Sequence, residues 1–364
     1  MSAVLFFVNE LHTMHLRSPY PGGIPVIRNG RQGSSLMKGH LRFSLCAAAI
    51  TLSVLPIGQV VLAQDVAKSS PGMVKVPLEN DNVSFATAVG ADSSGTTVLI
   101  RCDDIGMCHA VNMAAKQVLD RGFPVSMSVM FACPWYQEAV DLLKQYRNVS
   151  VGVHLTLNAE WKNYRWGPVS GRSEVPSLVD SLGFFFPSRA TFFAHKPTLA
   201  DVEKELRAQI ERAMHSGLHI DYFDHHMSTA VDRPALRGLL ENLAKEYRVA
   251  ISWYFGEEEV TGVFRAPPAG KLDTLLERTR NLPFGRINLM VFHVGLQSAE
   301  MDALLDLNVF GPAEMSKHRE GELRALTSTK FMELILAKGI HLTTYHELTE
   351  QVGLRGMKRP MVKD

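Results

Sequence analysis

Residues 97–104 have the sequence TVLIRCDD, in which a β-branched, mostly apolar run ends in two adjacent carboxylates. A short run of this kind predicts a buried strand. Similar runs recur along the chain, and the predicted strands are 97–102, 124–130, 149–157, 219–224, 249–253, 287–294 and 340–345. Apolar residues at helical spacing fill the intervals and predict helices at 108–121, 135–146, 199–216, 234–247, 271–281 and 320–338. Strands that alternate with helices are typical of a parallel sheet.

Seven such units in about 250 residues favour a barrel over an open sheet. We therefore predict an α/β fold, a TIM-like, incomplete or distorted (β/α) barrel with about seven parallel strands, over residues 96–350. The segment 158–197 is longer than an ordinary connection and predicts an excursion over one face of the barrel. Residues 351–364 form a basic tail.

The N-terminal part of the chain has a different pattern. Residues 37–63 combine a basic start, an apolar run and small residues before a cleavage point after Ala63, which predicts a secretory signal peptide. Residues 1–36 then precede the true start, unless they are a genuine tail, and residues 64–95 are a polar lead-in. We expect an exported protein, periplasmic or extracellular. The apolar run is short and interrupted by Pro56, which argues against a stable membrane anchor.

The composition excludes some classes of function. The chain has 364 residues, of which 46% are hydrophobic and 21% charged, with a formal net charge of +1. The hydrophobic residues are enough for a sizeable core. Basic residues are not in clear excess over acidic ones, so we expect no nucleic-acid partner. Of the four cysteines, Cys102, Cys108 and Cys133 follow the signal peptide, have no CxxC spacing and allow at most one disulfide.

Acids and imidazoles lie where four predicted strands end. They are Asp103 and Asp104, His154, the run Asp224-His225-His226, and His293. Alone, the paired carboxylates also fit a solvated turn, and His154 or His293 a buried structural histidine. Because parallel strands end at one rim of a barrel, we expect these groups to converge there. A carboxylate with two imidazoles suits one divalent metal ion, Zn or Co, or Mn or Mg if waters complete the shell.

Three segments carry a family resemblance. Asp103-Asp104-Ile105-Gly106 with Asn112, the run 152–157 (GVHLTL) and Asp224-His225-His226 resemble the signature segments of the YdjC-like carbohydrate deacetylases, the chitooligosaccharide deacetylase group. The resemblance implies a TIM-like barrel and metal-assisted removal of the acetyl group from an N-acetylated sugar.

The resemblance also implies a role for each site residue. Asp104, His154 and His226 match the metal ligands, Asp103 the catalytic base, and His293 a late histidine near the leaving group. Asp224 is then a partner that orients an imidazole, and His225 is an alternative ligand.

The chain departs from the family pattern beside each of these groups. Arg101 and Cys102 precede the acidic pair where the family has Asn-Ala, Ile105 follows it in place of Phe, and His225 replaces a Ser. We therefore expect Arg101 to contact the carboxylates or the substrate. Because of these departures, we do not assign the substrate to the chitooligosaccharides and leave the sugar open.

The excursion contains three clustered aromatic residues, Trp161, Tyr164 and Trp166, whose rings suit either a sugar-binding platform or packing onto the barrel. The acidic run 257–259 predicts a solvated loop, and the run 184–186 (FFF) core or a cover over the site. Two other functions stay open: a metal-independent glycoside hydrolase that uses Asp103 and Asp224, and a non-catalytic periplasmic sugar-binding protein. The sequence also allows a homodimer.

Overall fold

The computed structural model describes residues 95–260, 262–309 and 311–360. The predicted upstream segment, signal peptide and almost all of the polar lead-in lie outside these residues. No helix in the described part of the chain is both long enough and apolar enough to cross a membrane.

One parallel sheet organises the described chain. Its strands are β1 (Thr97–Ile105), β2 (Val125–Val129), β3 (Val149–Leu155), β4 (Tyr222–His225), β5 (Ala250–Ile251), β6 (Glu258–Glu259), β7 (Ile287–Phe292) and β8 (His341–Thr343). Their order is β5-β4-β3-β2-β1-β7-β6, with β8 paired to β1, and every pairing is parallel. Among the described residues β5 and β6 are not paired with each other, so the curled sheet stays open. The predicted incomplete α/β barrel is confirmed.

The prediction for the acidic run 257–259 was wrong. Glu258 and Glu259 form the short strand β6 on β7, although their side chains are exposed. Glu257 is buried, and its carboxylate accepts hydrogen bonds from the backbone N–H groups of Trp253 and Phe255. A strand of two residues is too short to show an alternating pattern, so this strand could not be predicted from the sequence.

Ten helices cover the sheet in the described chain: α1 (His109–Leu119), α2 (Tyr136–Leu143), α3 (Arg189–Ala194), α4 (Leu199–Met214), α5 (Pro234–Tyr247), α6 (Lys271–Arg280), α7 (Ala299–Asp302), α8 (Met315–Leu326), α9 (Thr329–Ala337) and α10 (Tyr345–Val352). The single helix predicted at 320–338 is two helices. Ser328 has an extended backbone (φ −66°, ψ 132°), which ends α8 and begins α9.

The two faces of β1 show how the core is divided. Val98, Ile100 and Cys102 belong to the main apolar core, whereas Leu99 belongs to a second, smaller cluster. Alternate side chains of a strand point to opposite faces, so Arg101 and Asp103 share the side of Leu99. This side is the interior of the barrel, and the polar residues there lie towards the carboxyl end of the strand.

The last helix fills the other end of this interior. Tyr345 and Leu348 of α10 join Leu99, Tyr222 and Leu289 in the smaller cluster. The rings of Tyr222 and Tyr345 are 4.2 Å apart, and the hydroxyl group of Tyr222 hydrogen-bonds to Ser128. The interior is therefore packed with apolar and aromatic side chains at one end and carries charge at the other.

The last features of the fold are the packing of the C-terminal tail and the state of the three cysteines in the described chain. Part of the predicted basic tail packs on the barrel: Met357 contacts the smaller cluster, and the guanidinium group of Arg359 donates to Glu241. Cys102, Cys108 and Cys133 are buried free thiols, so the one disulfide that the sequence allowed does not form among them.

Candidate active site

The groups that the sequence placed at strand ends meet at the charged end of the barrel. Asp103 and Asp104 lie at the end of β1, His154 near the end of β3, and Asp224 on the neighbouring β4. Asp103, His154, His225, His226 and His293 all line one cavity of about 240 Å³. The carboxyl ends of the parallel strands thus bring together residues that are far apart in the sequence.

The backbone turns sharply where these residues lie. Asp104 has φ 63°, and the pairing between β1 and β2 shifts register between Cys102 and Ile105. Consecutive side chains of a regular strand point to opposite faces. The left-handed conformation of Asp104 removes this restriction, so both carboxylates of the pair reach the site.

Three buried atoms form a triangle at the centre of the site. The Asp104 Oδ1 atom is 3.4 Å from His154 Nε2 and 3.2 Å from His226 Nδ1, and the two nitrogen atoms are 3.3 Å apart. The Oδ1 atom has no hydrogen-bond partner among the described residues. Ligand atoms bound tetrahedrally at about 2.1 Å from one ion lie about 3.4 Å apart. The spacing therefore fits a single divalent cation.

A charged neighbour fixes the second polar atom of each triangle residue. His154 Nδ1 is 2.7 Å from Asp224 Oδ2, and His226 Nε2 is 2.9 Å from Glu160 Oε2. If each imidazole donates its N–H to that carboxylate, its other nitrogen carries only a lone pair. The three atoms that face one another are then all electron-pair donors, and only positive charge stabilises them together. Partners of this kind are typical of histidines that bind metals.

The pKa values show the same preference for positive charge. Burial opposes protonation of His154, but Asp224 and Asp104 raise its pKa to about 9. Burial likewise opposes protonation of His226, but Glu160 and Asp104 raise its pKa to about 10. The pocket is thus built to hold a cation, whether protons on the imidazoles or a metal ion in their place.

Arg319 holds the remaining oxygen of Asp104. Its Nη2 atom lies 2.6 Å from Asp104 Oδ2, and its guanidinium group lies 5.7 Å from the centre of the Trp161 ring. Burial opposes ionisation of Asp104, but Arg319 and the two imidazoles hold its pKa well below the usual range. Asp104 therefore offers a charged Oδ1 to the centre while Oδ2 is occupied.

Sequence analysis missed Glu160 and Arg319. Arg319 and Glu322 interrupt the buried face of α8, and Glu160 is a buried carboxylate at the start of the excursion. Charged residues on the apolar face of a helix indicate buried ion pairs. The sequence of α8 therefore contained a signal that could have pointed to these residues. Nothing comparable marked Glu160, because the excursion has no periodic pattern.

Arg101 connects Asp103 with Asp224. Its Nε and Nη2 atoms donate to the two carboxylate oxygens of Asp103 at 2.7 and 2.8 Å, and its Nη1 atom lies 3.0 Å from Asp224 Oδ1. Arg101 and Asp103 are two residues apart on one strand face, which explains the bidentate contact. Arg101 is buried and held by two carboxylates, as expected from its place before the acidic pair, and it also lines the cavity.

His225 and His293 border the triangle without belonging to it. The structure brings His226, and not His225, to Asp104 and His154, and burial lowers the pKa of His225 to about 4. The backbone N–H of His293 donates to Glu322, and its ring lies 5.4 Å from that of Phe264. The Nδ1 atom of His293 has no hydrogen-bond partner in the described chain.

The aromatic residues of the excursion are packing residues. Trp161 and Trp166 are 1% and 4% exposed, and the indole N–H of Trp166 donates to the backbone of Asn158. The hydroxyl group of Tyr164 donates to the backbone of Met107. The suggestion that the two tryptophans form a sugar-binding platform is corrected, since buried rings offer no face to a ligand. Trp253, half-buried at the cavity, is the tryptophan that lines the site.

Residues 97–337 match the family model described as YdjC-like protein. The chain belongs to the YdjC-like protein family. Among the similar proteins, this YdjC-like protein is 28% identical over 261 residues to a carbohydrate deacetylase of Brevibacillus brevis, which covers 69% of this chain and 99% of the relative. It is equally similar over 261 residues to a carbohydrate deacetylase of Vibrio cholerae, covering 69% of this chain and 96% of that relative.

A solved structure shares the fold of this YdjC-like protein. It is a protein of Enterococcus faecalis V583 named for cellobiose-phosphate cleavage, with a TM-score of 0.59 and 24% identity over 70% of this chain and 99% of that chain. The similarity supports the open α/β barrel described above.

Proposed function

We propose that this YdjC-like protein is a metal-dependent hydrolase that removes an acetyl group from an N-acetylated sugar or oligosaccharide. The observation that carries the proposal is the buried triangle of Asp104, His154 and His226 with the carboxylate of Asp103 beside it. The curated relatives, which are named carbohydrate deacetylases, support the same reaction and the class of substrate.

Asp104, His154 and His226 would hold the metal ion. One carboxylate and two imidazoles suit Zn or Co, and Mg or Mn if waters complete the shell. A divalent ion there would polarise an acyl carbonyl group and make a water molecule more acidic. The protein supplies the orientation, because Asp224, Glu160 and Arg319 each fix one ligand side chain.

Asp103 is the base in this proposal. Its carboxylate lines the cavity, and Arg101 holds it in one orientation through two hydrogen bonds. In hydrolysis the water oxygen bonds to the acyl carbon, the bond from that carbon to the sugar nitrogen breaks, and Asp103 accepts the proton of the water. A positioned base typically contributes about 10² to 10⁴ to the rate of such a step.

His293 lies on the same cavity and is proposed to give a proton to the leaving nitrogen. Glu322 fixes the backbone of His293, while its Nδ1 atom has no partner in the described structure. An imidazole that is positioned but not committed to a hydrogen bond is suited to proton transfer. The products are acetate and the free amino sugar, which balances the reaction.

The alternative of a glycoside hydrolase is not supported by the geometry. It requires two carboxylates that face one sugar bond. Asp224 is fully buried, and its oxygen atoms contact His154, Ser252 and Arg101. Asp224 is therefore a supporting group and is not available as the second carboxylate that the sequence suggested.

The deciding experiment is acetate release from a panel of N-acetylated sugars. It is measured before and after treatment with a chelator, and again with Zn, Co, Mn or Mg added back. We expect a chelator-sensitive reaction that metal restores. Full activity after complete removal of metal would contradict the metal dependence, and release of reducing sugar without acetate would contradict the reaction.

Export is part of the proposal and rests on the sequence of residues 37–63 alone. The test is the N-terminal sequence of the protein recovered outside the cytoplasm. A mature chain that begins near Gln64 is expected, and a full-length chain retained with the cytoplasmic fraction would contradict it.

A further inference from the structure

A second cluster of two histidines and one aspartate lies at the other end of the sheet. Asp221 directly precedes β4, and His346 is the second residue of α10. The backbone N–H of His346 donates to Ser150, near the start of β3, whereas His154 lies near the end of that strand. At about 3.3 Å per residue, the two positions on β3 are about 13 Å apart. The cluster is thus separate from the candidate active site.

Both imidazoles point at one oxygen atom. His219 Nδ1 is 2.9 Å and His346 Nδ1 is 2.8 Å from Asp221 Oδ1. The other carboxylate oxygen of Asp221 accepts the backbone N–H of Val151, so this buried side chain is fixed. One ligand atom from each of the three residues lies within 4.8 Å of the other two.

The spacing in the sequence suits a shared ligand. His219 and Asp221 are two residues apart in the chain leading into β4, and residues at this spacing share a side in an extended chain. His346 and Glu350 are four residues apart in α10 and lie on one helix face. The Glu350 Oε1 atom is 3.4 Å from His346 Nε2. The chain before β4 thus directs two potential ligands, and α10 one, to the same place, while Glu350 lies at the other ring nitrogen of His346.

The surroundings favour a cation that can exchange with solvent. The side chains of His219 and His346 are 80% and 48% exposed, so water can complete the coordination of an ion. Carboxylate oxygen atoms of Asp221 and Glu350 lie 2.8 and 3.4 Å from the two ring nitrogens of His346, so the place is locally negative. Two hydrogen bonds to Asp221 stabilise the same arrangement when no ion is bound.

We propose that His219, Asp221 and His346 form a second divalent-cation site, with Glu350 as the partner of the other ring nitrogen of His346, and that zinc is the ion that suits it. Two imidazoles with carboxylate oxygens are a common zinc ligand set. The bound ion joins the chain before β4 to α10, the helix that fills the base of the barrel. The site is structural and independent of the proposed deacetylation.

The first test counts zinc equivalents by competition with a chromogenic chelator at neutral pH. The double variant Asp104→Asn, His226→Ala removes two of the three ligands at the rim and is expected to keep one equivalent. Adding His219→Ala and His346→Ala to it is expected to remove that equivalent. The control adds His215→Ala instead, because His215 is an exposed histidine at the end of α4 that is outside both clusters.

The second test measures thermal unfolding with and without zinc. Zinc is expected to raise the midpoint of the wild type and of the rim variant, because a ligand of the folded state stabilises it. The same rise in the variant lacking His219 and His346 would overturn the proposal, as would an unchanged number of zinc equivalents. Circular dichroism without zinc separates a folding defect from lost binding. Unchanged acetate release by His219→Ala, His346→Ala made in the chain with an intact rim separates the second site from the reaction.

Discussion

The two His–Asp–His clusters of this protein use the same side chains in opposite environments. At the rim, Asp104, His154 and His226 are all buried, whereas at the base only Asp221 is buried. Each rim residue has a buried charged partner for its second polar atom. The histidines at the base of the barrel, His219 and His346, face water. The same types of ligand residue are therefore suited to different roles when their burial differs. A buried cluster concentrates charge for chemistry, and an exposed one is suited to linking two elements.

The largest expected effect separates the two clusters by activity. His154→Ala removes a proposed ligand and should reduce acetate release by at least about 10³-fold, since a metal contributes several kcal/mol to the transition state. His219→Ala should leave acetate release within about twofold of the wild type, because surface substitutions away from a site have small effects. The reverse pattern would contradict the assignment of the rim as the active site.

The second largest effect distinguishes the proposed catalytic base, Asp103, from the metal ligands at the rim. Asp103→Asn should lower kcat by about 10² to 10⁴-fold and keep the metal equivalents of the wild type, because Asp103 is outside the triangle. Asp120→Asn is the control, since Asp120 forms a surface pair with Lys116. A variant that loses metal together with activity would make Asp103 a ligand and not the base.

A smaller effect tests the buried partners that distinguish the rim. Glu160→Gln should weaken metal binding by about 10 to 100-fold, because partners that orient a ligating histidine contribute this much. Glu246→Gln changes a surface carboxylate paired with Arg207 and should change nothing. The measurement is metal affinity by chelator competition. Equal affinities of the two variants would show that Glu160 does not act on His226.

The smallest effect concerns the pH dependence of stability at the base. The folded pKa of His346 is raised above its unfolded value, so its stabilisation is complete below about pH 6.5 and is lost as pH rises through the folded pKa. Because His346 is half exposed, the effect should be at most about 1 kcal/mol. His154 and His226 also have raised pKa values and titrate equally in both proteins. Urea unfolding with chelator present, at about pH 5.5 and about pH 9, should therefore show a larger loss of stability in the wild type than in His346→Gln. An equal loss in His346→Gln would assign it to another group.

The site residues could be placed from the sequence because the strands and the points where they end are visible in the local pattern of residues. Asp103, His154 and Asp224 each lie within two residues of the end of a strand, and parallel strands bring such ends to one rim. The choice of Asp104 as ligand depended on the family resemblance. Only the structure shows the left-handed turn that brings both carboxylates inward.

The remaining features depend on contacts between distant segments, which a single sequence does not show. Arg319 reaches Asp104 from α8, and Glu160 reaches His226 from the excursion. Trp161 and Trp166 have the composition of a sugar platform, but tertiary packing buries them. The strand β6 exists only through its pairing with β7. In each case the environment, and not the local pattern, decides the role.

The packing of α10 has a consequence for the order in which the molecule forms. Tyr222 is synthesised long before Tyr345, yet the two rings cover each other in the interior. Contacts between such distant residues close large loops and are slow to form. Until the C-terminal part of the described chain has emerged, the interior of the barrel is without its filler and its apolar side chains face water. The interior of the open barrel is therefore complete only after α10, its last helix, has been synthesised and has packed against Tyr222.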